Sequence, residues 1–520
     1  MRLKGRRRDE AAEREVSRGR SSAERTRTIR RREGVDPGRT SEESHRRATA
    51  SREGLNETES EANMNHDKAR PQMSAKAERP GGQRGETHET EGREEAASAT
   101  SEIERSGTRE LMEQVVRHDN FEAAWKRVKA NKGTAGVDGV TVDRLPGYLD
   151  GTWEQVREQL LAGTYVPAAV RRCEIPKPDG TKRQLGIPTV MDRIIQQAVL
   201  QVLQPRFDPT FSEHSYGFRP RRSAHDAIVA ARRFIEDGRT WCVDVDLEKF
   251  FDRVNHDVLM GRLAKRIEDP RMLKLIRRYL TAGVMANGVV MEREEGTPQG
   301  GPLSPLLANV LLDEVDKDLE ERGHAFARYA DDCNVYVRSE RAAQRVMDAL
   351  RRKYASLRLR VNESKSAVAE VWGRKFLGYS FQRRRDGRVR VVIARKAEQK
   401  AKDRIRELTS RSRGISLAQM VDELAKFLRG WKNYFCLAEA RGFFRILDEW
   451  IRHRLRMFVL RQWKRPSTIY ARLRRLGLRP RTAWGISHYG QSWWRRSRGM
   501  LGRAIPNSFF ANLGLPALLD

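Results

Sequence analysis

The 520-residue sequence predicts an α+β protein, in which a mixed or antiparallel sheet flanked by helices is followed by an α-helical region. Residues 241–246 and 333–337 alternate in side-chain character with a period of two, which is typical of strands. Residues 417–434 instead carry apolar side chains at spacings of three and four, which is typical of an amphipathic helix. The first hundred residues contain no aromatic residue, so they are not expected to contribute a core.

Residues 1–104 are expected to be disordered, because so little apolar surface cannot offset the entropy lost on ordering the chain. The first aromatic residue is Phe121, and Arg, Glu, Ser, Gly and Ala dominate the segment before it. A basic arm that touches RNA is the functional alternative. An upstream extension of the reading frame is another, with Met64, Met73 or Met112 as internal starts.

The two predicted strands each have one apolar face. The first places Trp241, Val243 and Val245 on one face and Asp244 and Asp246 on the other. The second places Cys333, Val335 and Val337 on one face. It follows directly on an Asp-Asp pair, so the pair is expected at the tip of a hairpin.

Three carboxylates predict a metal site. Asp331 and Asp332 form the hairpin tip, and Asp246 at the end of the first strand is expected to meet them. An Asp pair in a turn is an ordinary solvated loop when it stands alone. Three oxygen donors together suit Mg²⁺, and two such ions can clamp the attacking and leaving oxygens of phosphoryl transfer. The chemistry predicted is nucleotidyl transfer with two Mg²⁺ ions, for which Mn²⁺ is an expected substitute.

Seven motifs occur in an order that resembles one family. They are residues 131–140 (NKGTAGVDGV), 175–183 (IPKPDGTKR) with 185–188 (LGIP), 215–220 (SYGFRP), 297–305 (TPQGGPLSP), 329–332 (YADD), 362–365 (NESK) and 376–379 (FLGY). The sequence resembles the reverse transcriptases encoded by bacterial group II introns, of the type that lacks an endonuclease domain. The resemblance implies a right-hand polymerase with fingers, palm and helical thumb.

The resemblance also implies roles for individual residues. Asp246, rather than Asp244, matches the first metal-binding aspartate, because it stands five residues before Phe251 at the family's sugar-gate position. A ring there would exclude a ribose 2′-hydroxyl; core packing is the alternative role. Asp244 is left as a neighbouring acid. Lys177 and Arg183 match residues that hold the incoming triphosphate, Gln299 matches a glutamine of the nucleotide pocket, and Lys365 is a further candidate for substrate binding.

The C-terminal region is expected to be helical. Residues 417–434 place Met420, Val421, Leu424, Phe427, Leu428 and Trp431 on one face, and residues 430–435 (GWKNYF) resemble the signature of the family's thumb, or maturase, domain. A second helix over about 443–463 interleaves apolar residues with Arg452, Arg454, Arg456 and Arg461. These arginines are expected to follow a phosphate backbone.

The expected domains are a charged extension at 1–104, fingers and palm at 105–385, a thumb or maturase domain at 386–480, and a basic and aromatic appendage at 481–520. The net charge is +31, of which residues 1–50 carry +7, residues 51–100 carry −4 and the remainder carries +28. The globular part is therefore the basic part, which predicts binding to nucleic acid through phosphate contacts. The expected partners are an intron RNA template, a DNA primer or target, and deoxynucleoside triphosphates.

Cys173, Cys242, Cys333 and Cys436 are too widely spaced to predict a zinc site or a disulfide framework. The N-terminus has no apolar signal region, and no apolar stretch is long enough to cross a membrane. A cytoplasmic protein that associates with the nucleoid is expected.

Two alternatives belong to other functional classes. One is a maturase that binds and folds intron RNA without polymerising, against which the intact acidic triad argues. The other is a reverse transcriptase recruited to phage defence or to a CRISPR locus. The segment at 299–305 (QGGPLSP) and the long thumb fit the intron type better.

Overall fold

The computed structural model describes residues 109–176, 182–286, 289–291, 295–297, 300–488, 493–497 and 501–519. All of them belong to one unit of the chain, residues 86–520. The extension expected to be disordered, residues 1–104, lies outside this described part. Within the described residues, no helix combines the length and the apolar character needed to cross a bilayer.

The N-terminal region is a set of helices around a small mixed sheet. Its elements are α1 (Leu111–Val116), α2 (His118–Ala130), α3 (Leu145–Leu161), β1 (Val170–Pro176), β2 (Lys182–Ile187) and α4 (Val190–Phe207). The sheet order is β2-β1-β4-β5, with β4 at Val284–Ala286 and β5 at Val289–Met291. Only the pair formed by β1 and β4 is parallel among the described pairs of this sheet. This region corresponds to the expected fingers.

The central elements form a second sheet with helices on both sides. They are α5 (Ala224–Glu236), β3 (Trp241–Val245), α6 (His256–Ala264), α7 (Pro270–Thr281), α8 (Ser304–Glu321), β6 (Ala325–Tyr329), β7 (Asp332–Val337), α9 (Glu340–Ser356) and β8 (Ala367–Glu370). The strand order is β6-β7-β3-β8. Every described pair in this palm sheet is antiparallel, so the palm sheet itself is not mixed.

Both faces of the palm sheet are packed. Val243, Val245 and the predicted apolar face of the second strand lie in one core with residues of α8 and α9, which confirms the predicted strand faces. Cys242 and Tyr336 on the opposite face lie in a second core with residues of α5. Helix α5 begins at a capping box, in which Ser223 and Asp226 each bond the other's backbone N–H. Burial on both sides leaves only the ends of the strands free to carry polar chemistry.

A hairpin connects the palm to the C-terminal helices. Strands β9 (Lys375–Phe376), β10 (Tyr379–Arg383) and β11 (Val389–Ile393) form a third sheet, and the predicted domain boundary at residue 385 falls in the turn between β10 and β11. The helices that follow are α10 (Arg395–Leu408), α11 (Leu417–Tyr434), α12 (Arg441–Trp463), α13 (Pro466–Arg475), α14 (Pro480–His488), α15 (Trp493–Arg496), α16 (Leu501–Ala504) and α17 (Asn507–Asn512). The predicted boundary at 480 falls at the first residue of α14.

The periodicity predicted two of these helices well. Helix α11 has the predicted bounds, and it buries Met420, Val421, Leu424 and Leu428, whereas Phe427 and Trp431 at the edge of the apolar face are half-buried. Helix α12 begins two residues before the predicted start.

The arginines of α12 are not the exposed row that was expected. Arg452 is buried and bonded to Asp448 at 2.9 Å. Arg454 donates to the hydroxyl of Thr409, and Arg456 donates to the carbonyl of Ile505. The prediction was wrong for Arg452 and incomplete for the next two, because a 23-residue helix packed on several neighbours turns some of its cations inward.

Candidate active site

The three predicted acids lie at the same end of the palm sheet. Asp246 directly follows β3, Asp331 lies in the turn between β6 and β7, and Asp332 is the first residue of β7. The turn therefore consists of Ala330 and Asp331, and the expectation that both aspartates form it was wrong by one residue. Val245, the last residue of β3, pairs with Cys333 in the antiparallel ladder. Asp246, the residue after Val245, therefore continues opposite Asp332.

Electrostatics shows that the acids influence one another. Burial, together with the neighbouring negative charges of Asp331, Asp244 and Asp246, raises the pKa of Asp332 to about 6, while the charge of Lys375 acts in the opposite direction. Like charges that raise a carboxyl pKa indicate that the negative potentials of these carboxylates overlap at Asp332. This end of the sheet therefore favours a bound cation.

The backbone and side chain of Asp246 are held by the segment at 362–366. The Asp246 N–H donates to the Ser366 hydroxyl at 3.0 Å, and its carbonyl accepts from the Asn362 N–H at 2.8 Å. Lys365 Nζ lies 3.5 Å from Asp246 Oδ1. Both side chains are partly exposed, so this pair contributes little to stability. Lys365, predicted to bind substrate, is thus placed beside the first acid.

Asp244 has a separate partner. Its Oδ2 accepts from Arg374 Nη2 at 2.8 Å, so its charge is compensated by an arginine. The assignment of Asp246, rather than Asp244, as the candidate ligand remains a prediction from the family resemblance.

The chemistry of the donor set fits a divalent metal. Asp246, Asp331 and Asp332 supply hard oxygen ligands whose mutual repulsion a cation would relieve. In the part of the chain that the structure describes, no three His, Cys, Asp or Glu side chains stand close enough to hold an ion as they are.

Phe251 lies on the wall of a cavity of about 750 Å³. It is half-buried within a short 3₁₀ turn, Phe250–Asp252, and its carbonyl accepts from the Thr297 N–H at 2.7 Å. The cavity is also lined by Arg127, Asn131, Leu185, Arg193, Phe218, Gly300 and Gly301. The Phe218 ring lies 6.2 Å from that of Tyr329, which precedes the acidic turn. The structure thus brings the predicted sugar gate, the N-terminal motif and the acids to one region.

Protein contacts leave little room for a Cβ at two glycines of this cavity. Gly300 has a φ of +126°, and a Cβ there would lie 2.9 Å from the carbonyl oxygen of Gly186. A Cβ on Gly301 would lie 2.3 Å from Oε1 of Gln196. The absence of side chains at these two positions lets the segment pack on β2 and α4.

The remaining predicted site residues are only partly placed. Lys177 and Gln299 lie outside the described residues, as does the side chain of Arg183. The backbone of Arg183 lies on β2, paired with Ile175.

Sequence reasoning missed a buried arginine behind the acidic turn. Arg328 on β6 is completely buried, and it contacts Asp316, Asn309 and Ser215. An arginine in a strand otherwise made of apolar and small residues is the signal that could have indicated it.

Comparison with known proteins yields two family matches and several relatives. A profile for reverse transcriptase (RNA-dependent DNA polymerase) matches residues 175–381, and one for the group II intron maturase-specific domain matches residues 398–477. Protein YkfC of Escherichia coli K12 is 36% identical over 304 residues, which cover 50% of this chain and 79% of YkfC.

The group II intron-encoded protein LtrA of Lactococcus lactis subsp. cremoris is 39% identical over 208 residues, which cover 40% of this chain and 34% of LtrA. The chain thus matches about a third of the length of LtrA. A solved partial Cas6-RT-Cas1–Cas2 complex is 27% identical over 48% of this chain and 42% of that chain, with a TM-score of 0.32.

Proposed function

The chain belongs to the group II intron-encoded reverse transcriptases with a maturase domain, a family of RNA-directed DNA polymerases, and we propose that it copies an intron RNA template into DNA at Asp246, Asp331 and Asp332. The observation that carries this proposal is the convergence of these three acids at one end of the palm sheet, beside the cavity walled by Phe251. The cofactor proposed is a pair of Mg²⁺ ions, for which Mn²⁺ can substitute.

The three carboxylates would hold the ions. When bound, two such ions activate the primer 3′-hydroxyl and neutralise charge on the leaving pyrophosphate. The residues around them act by position: Phe251 excludes a ribose 2′-hydroxyl, and Lys177, Arg183 and Gln299 hold the incoming deoxynucleotide. Lys365 balances Asp246 and lies within reach of an arriving phosphate. Positioning and charge stabilisation supply most of the rate in phosphoryl transfer.

RNA binding is proposed for the thumb. A cavity of about 370 Å³ lies where the loop after α10 meets the end of α12, and Arg411, Arg461 and Lys464 line it together with Gln462. Three cations around an open cavity suit a phosphodiester backbone. The match to the maturase-specific domain supports the intron as the source of that RNA. Cytoplasmic action near the nucleoid is part of the same proposal.

Primer extension tests this function. Purified full-length protein is given an RNA template, an annealed DNA primer and deoxynucleotides, with Mg²⁺, Mn²⁺ or a chelator. We expect DNA synthesis with either metal and none with the chelator. Protein that promotes splicing of its intron RNA but extends no primer under any of these conditions would contradict the polymerase assignment and favour the maturase-only alternative.

A further inference from the structure

The guanidinium of Arg328 is fully buried directly behind the acidic turn. All five of its N–H groups find acceptors. Nε donates to Asp316 Oδ1 at 2.7 Å, and Nη2 donates to Asp316 Oδ2 at 2.6 Å and to the Ser215 hydroxyl at 2.7 Å. Nη1 donates to Asn309 Oδ1 and to the Ala330 carbonyl, both at 2.9 Å. A buried charge with this complete a set of partners is fixed in one orientation.

These partners come from three separate parts of the chain. Asp316 and Asn309 lie on α8, whereas Ser215 belongs to the 215–220 motif. The Asn309 side chain also donates to the carbonyl of Gly217 at 2.9 Å. The backbone N–H of Arg328 donates to the carbonyl of residue 214, just before that motif, and the carbonyl of Arg328 accepts from the N–H of residue 216 within it. One guanidinium therefore joins α8, the 215–220 motif and the catalytic hairpin.

The residue that Arg328 holds in the turn has an unusual backbone. Ala330 has a φ of +57°, a left-handed conformation that residues with a Cβ rarely adopt. Such a conformation persists only where the surroundings impose it. Gly217 packs against this residue so closely that a Cβ on Gly217 would lie 2.3 Å from the Ala330 nitrogen. The carbonyl of Ala330 is in turn fixed by Arg328, so the peptide leading into Asp331 is held from two directions.

We propose that Arg328 is a positioning residue for polymerisation: it imposes the left-handed turn at Ala330 and thereby sets where Asp331 and Asp332 present their carboxylates. Through Asp316 and Asn309 it also ties this turn to α8, the helix that begins just after Gly300 and Gly301 on the wall of the nucleotide cavity. The proposal rests on the polymerase function proposed above.

A purely structural ion pair is the competing role, and two variants separate the roles. Arg328→Lys keeps the charge beside Asp316 but cannot reach Ala330, Asn309 and Ser215 at once. Arg328→Met/Asp316→Leu replaces the buried pair by apolar side chains, which proteins tolerate much better than loss of one partner. Arg271→Lys is the matched control. Arg271 also bonds two acids, Asp269 and Glu113, and the carbonyl of Leu161, but it does not contact the turn.

The measurements are single-turnover deoxynucleotide incorporation on an RNA template, template-primer affinity, the melting temperature, and hydrogen exchange of residues 325–337 in metal-free protein. For Arg328→Lys and the double variant we expect the maximal rate to fall about tenfold to a hundredfold, because catalysis is sensitive to misplacement of about 1 Å. The half-saturating nucleotide concentration and template-primer affinity should stay within about twofold of wild type. The turn should exchange faster in both variants.

Several outcomes decide the proposal. The proposal is supported if the double variant melts like wild type, incorporates nucleotides slowly and exchanges faster at the turn. This result supports it even if Arg328→Lys does not fold. Either variant polymerising within about twofold of the wild-type rate would overturn it. The proposal would also be overturned if Arg271→Lys lost rate to the same degree as Arg328→Lys and melted at the same temperature as that variant. The loss of rate would then be a general effect of lower stability. Absence of extension by wild-type protein would instead contradict the proposed function.

Discussion

Phe250 and Phe251 are adjacent residues with different surroundings. Phe250 is buried in the core, whereas Phe251 is half-buried and lines the 750 Å³ cavity proposed to bind the nucleotide. Their rings are in contact, with centroids 5.1 Å apart. Core packing and substrate selection, the two roles open for Phe251 from sequence, are therefore separable by comparing these neighbours.

Phe251→Val should raise incorporation of ribonucleotides relative to deoxynucleotides, because a smaller side chain leaves room for the 2′-hydroxyl. A steric gate acts by rejecting one substrate, so extension with deoxynucleotides should fall only moderately. Single-nucleotide incorporation with matched ribo- and deoxynucleotides measures the ratio.

Phe250→Val is the control for that experiment. It should lower the melting temperature through the cavity it leaves and should keep the ratio unchanged. A folded, active Phe251→Val variant with the wild-type ratio would remove the gate from Phe251.

At this scale the sequence predicted candidate metal ligands, whose role remains a prediction, and missed a buried residue that supports the turn carrying them. Asp331 and Asp332 were singled out because they stand among motifs in the order of one family, whereas an Asp pair alone would be an ordinary turn. Arg328 could not be assigned, because its role depends on Asn309, Asp316 and Ser215, which are brought to it only by the tertiary fold.

Helix α12 shows what periodicity can and cannot predict about an element. The helix and its C-terminal end were predicted, although it begins two residues before the predicted start. The periodicity does not predict which arginines are exposed, because packing against α10, α13 and the C-terminal residues determines what each face of the helix contacts. Arg452 is bonded to Asp448, whereas Arg461 lines the thumb cavity with Arg411 and Lys464.

Arg461→Gln should therefore weaken RNA binding. Loss of one phosphate contact lowers the slope of log affinity against log salt by about 0.7 to 0.9. Affinity for intron RNA measured between low and moderate salt gives the slope. The control is Arg277→Gln, which removes the same charge from α7, where Arg277 pairs with Asp257. Equal slopes for wild type and Arg461→Gln would exclude a phosphate contact at Arg461.

For the whole molecule, the order of strands was beyond local sequence patterns. The arrangement β6-β7-β3-β8 pairs residues near 243 with residues near 335 and 368. Alternation predicts that a strand exists and which face it buries, but not its partners. The motif order supplied that information through the family resemblance, and the junctions proposed at 385 and 480 remain predictions.

Deleting residues 1–104 should leave both the fold and primer extension intact. The described core begins at α1, where Leu111 and Met112 are completely buried, and residues 1–100 contain no aromatic side chain. The melting temperature and the extension rate of the shortened protein should match those of the full chain.

A longer deletion, of residues 1–117, supplies the contrast. It removes α1 and should lower the melting temperature, because several buried apolar side chains are lost. If the shorter deletion destabilised the protein as much as the longer one, residues 1–104 would have a structural role.

The most direct test of the catalytic assignment is the rate of single-turnover deoxynucleotide incorporation by Asp332→Asn. The control is Asp237→Asn, which changes an exposed aspartate of the palm that pairs with Arg239. Burial and like charges raise the pKa of Asp332 to about 6, so its ionised form is disfavoured by the fold and the metal-free variant should melt no lower than wild type. Template-primer affinity should be unchanged, because it rests on distributed positive charge. We predict that the rate falls by at least about a thousandfold, or roughly 4 kcal/mol of transition-state stabilisation. A folded Asp332→Asn protein that polymerises within about tenfold of the wild-type rate would contradict the assignment of the acidic triad.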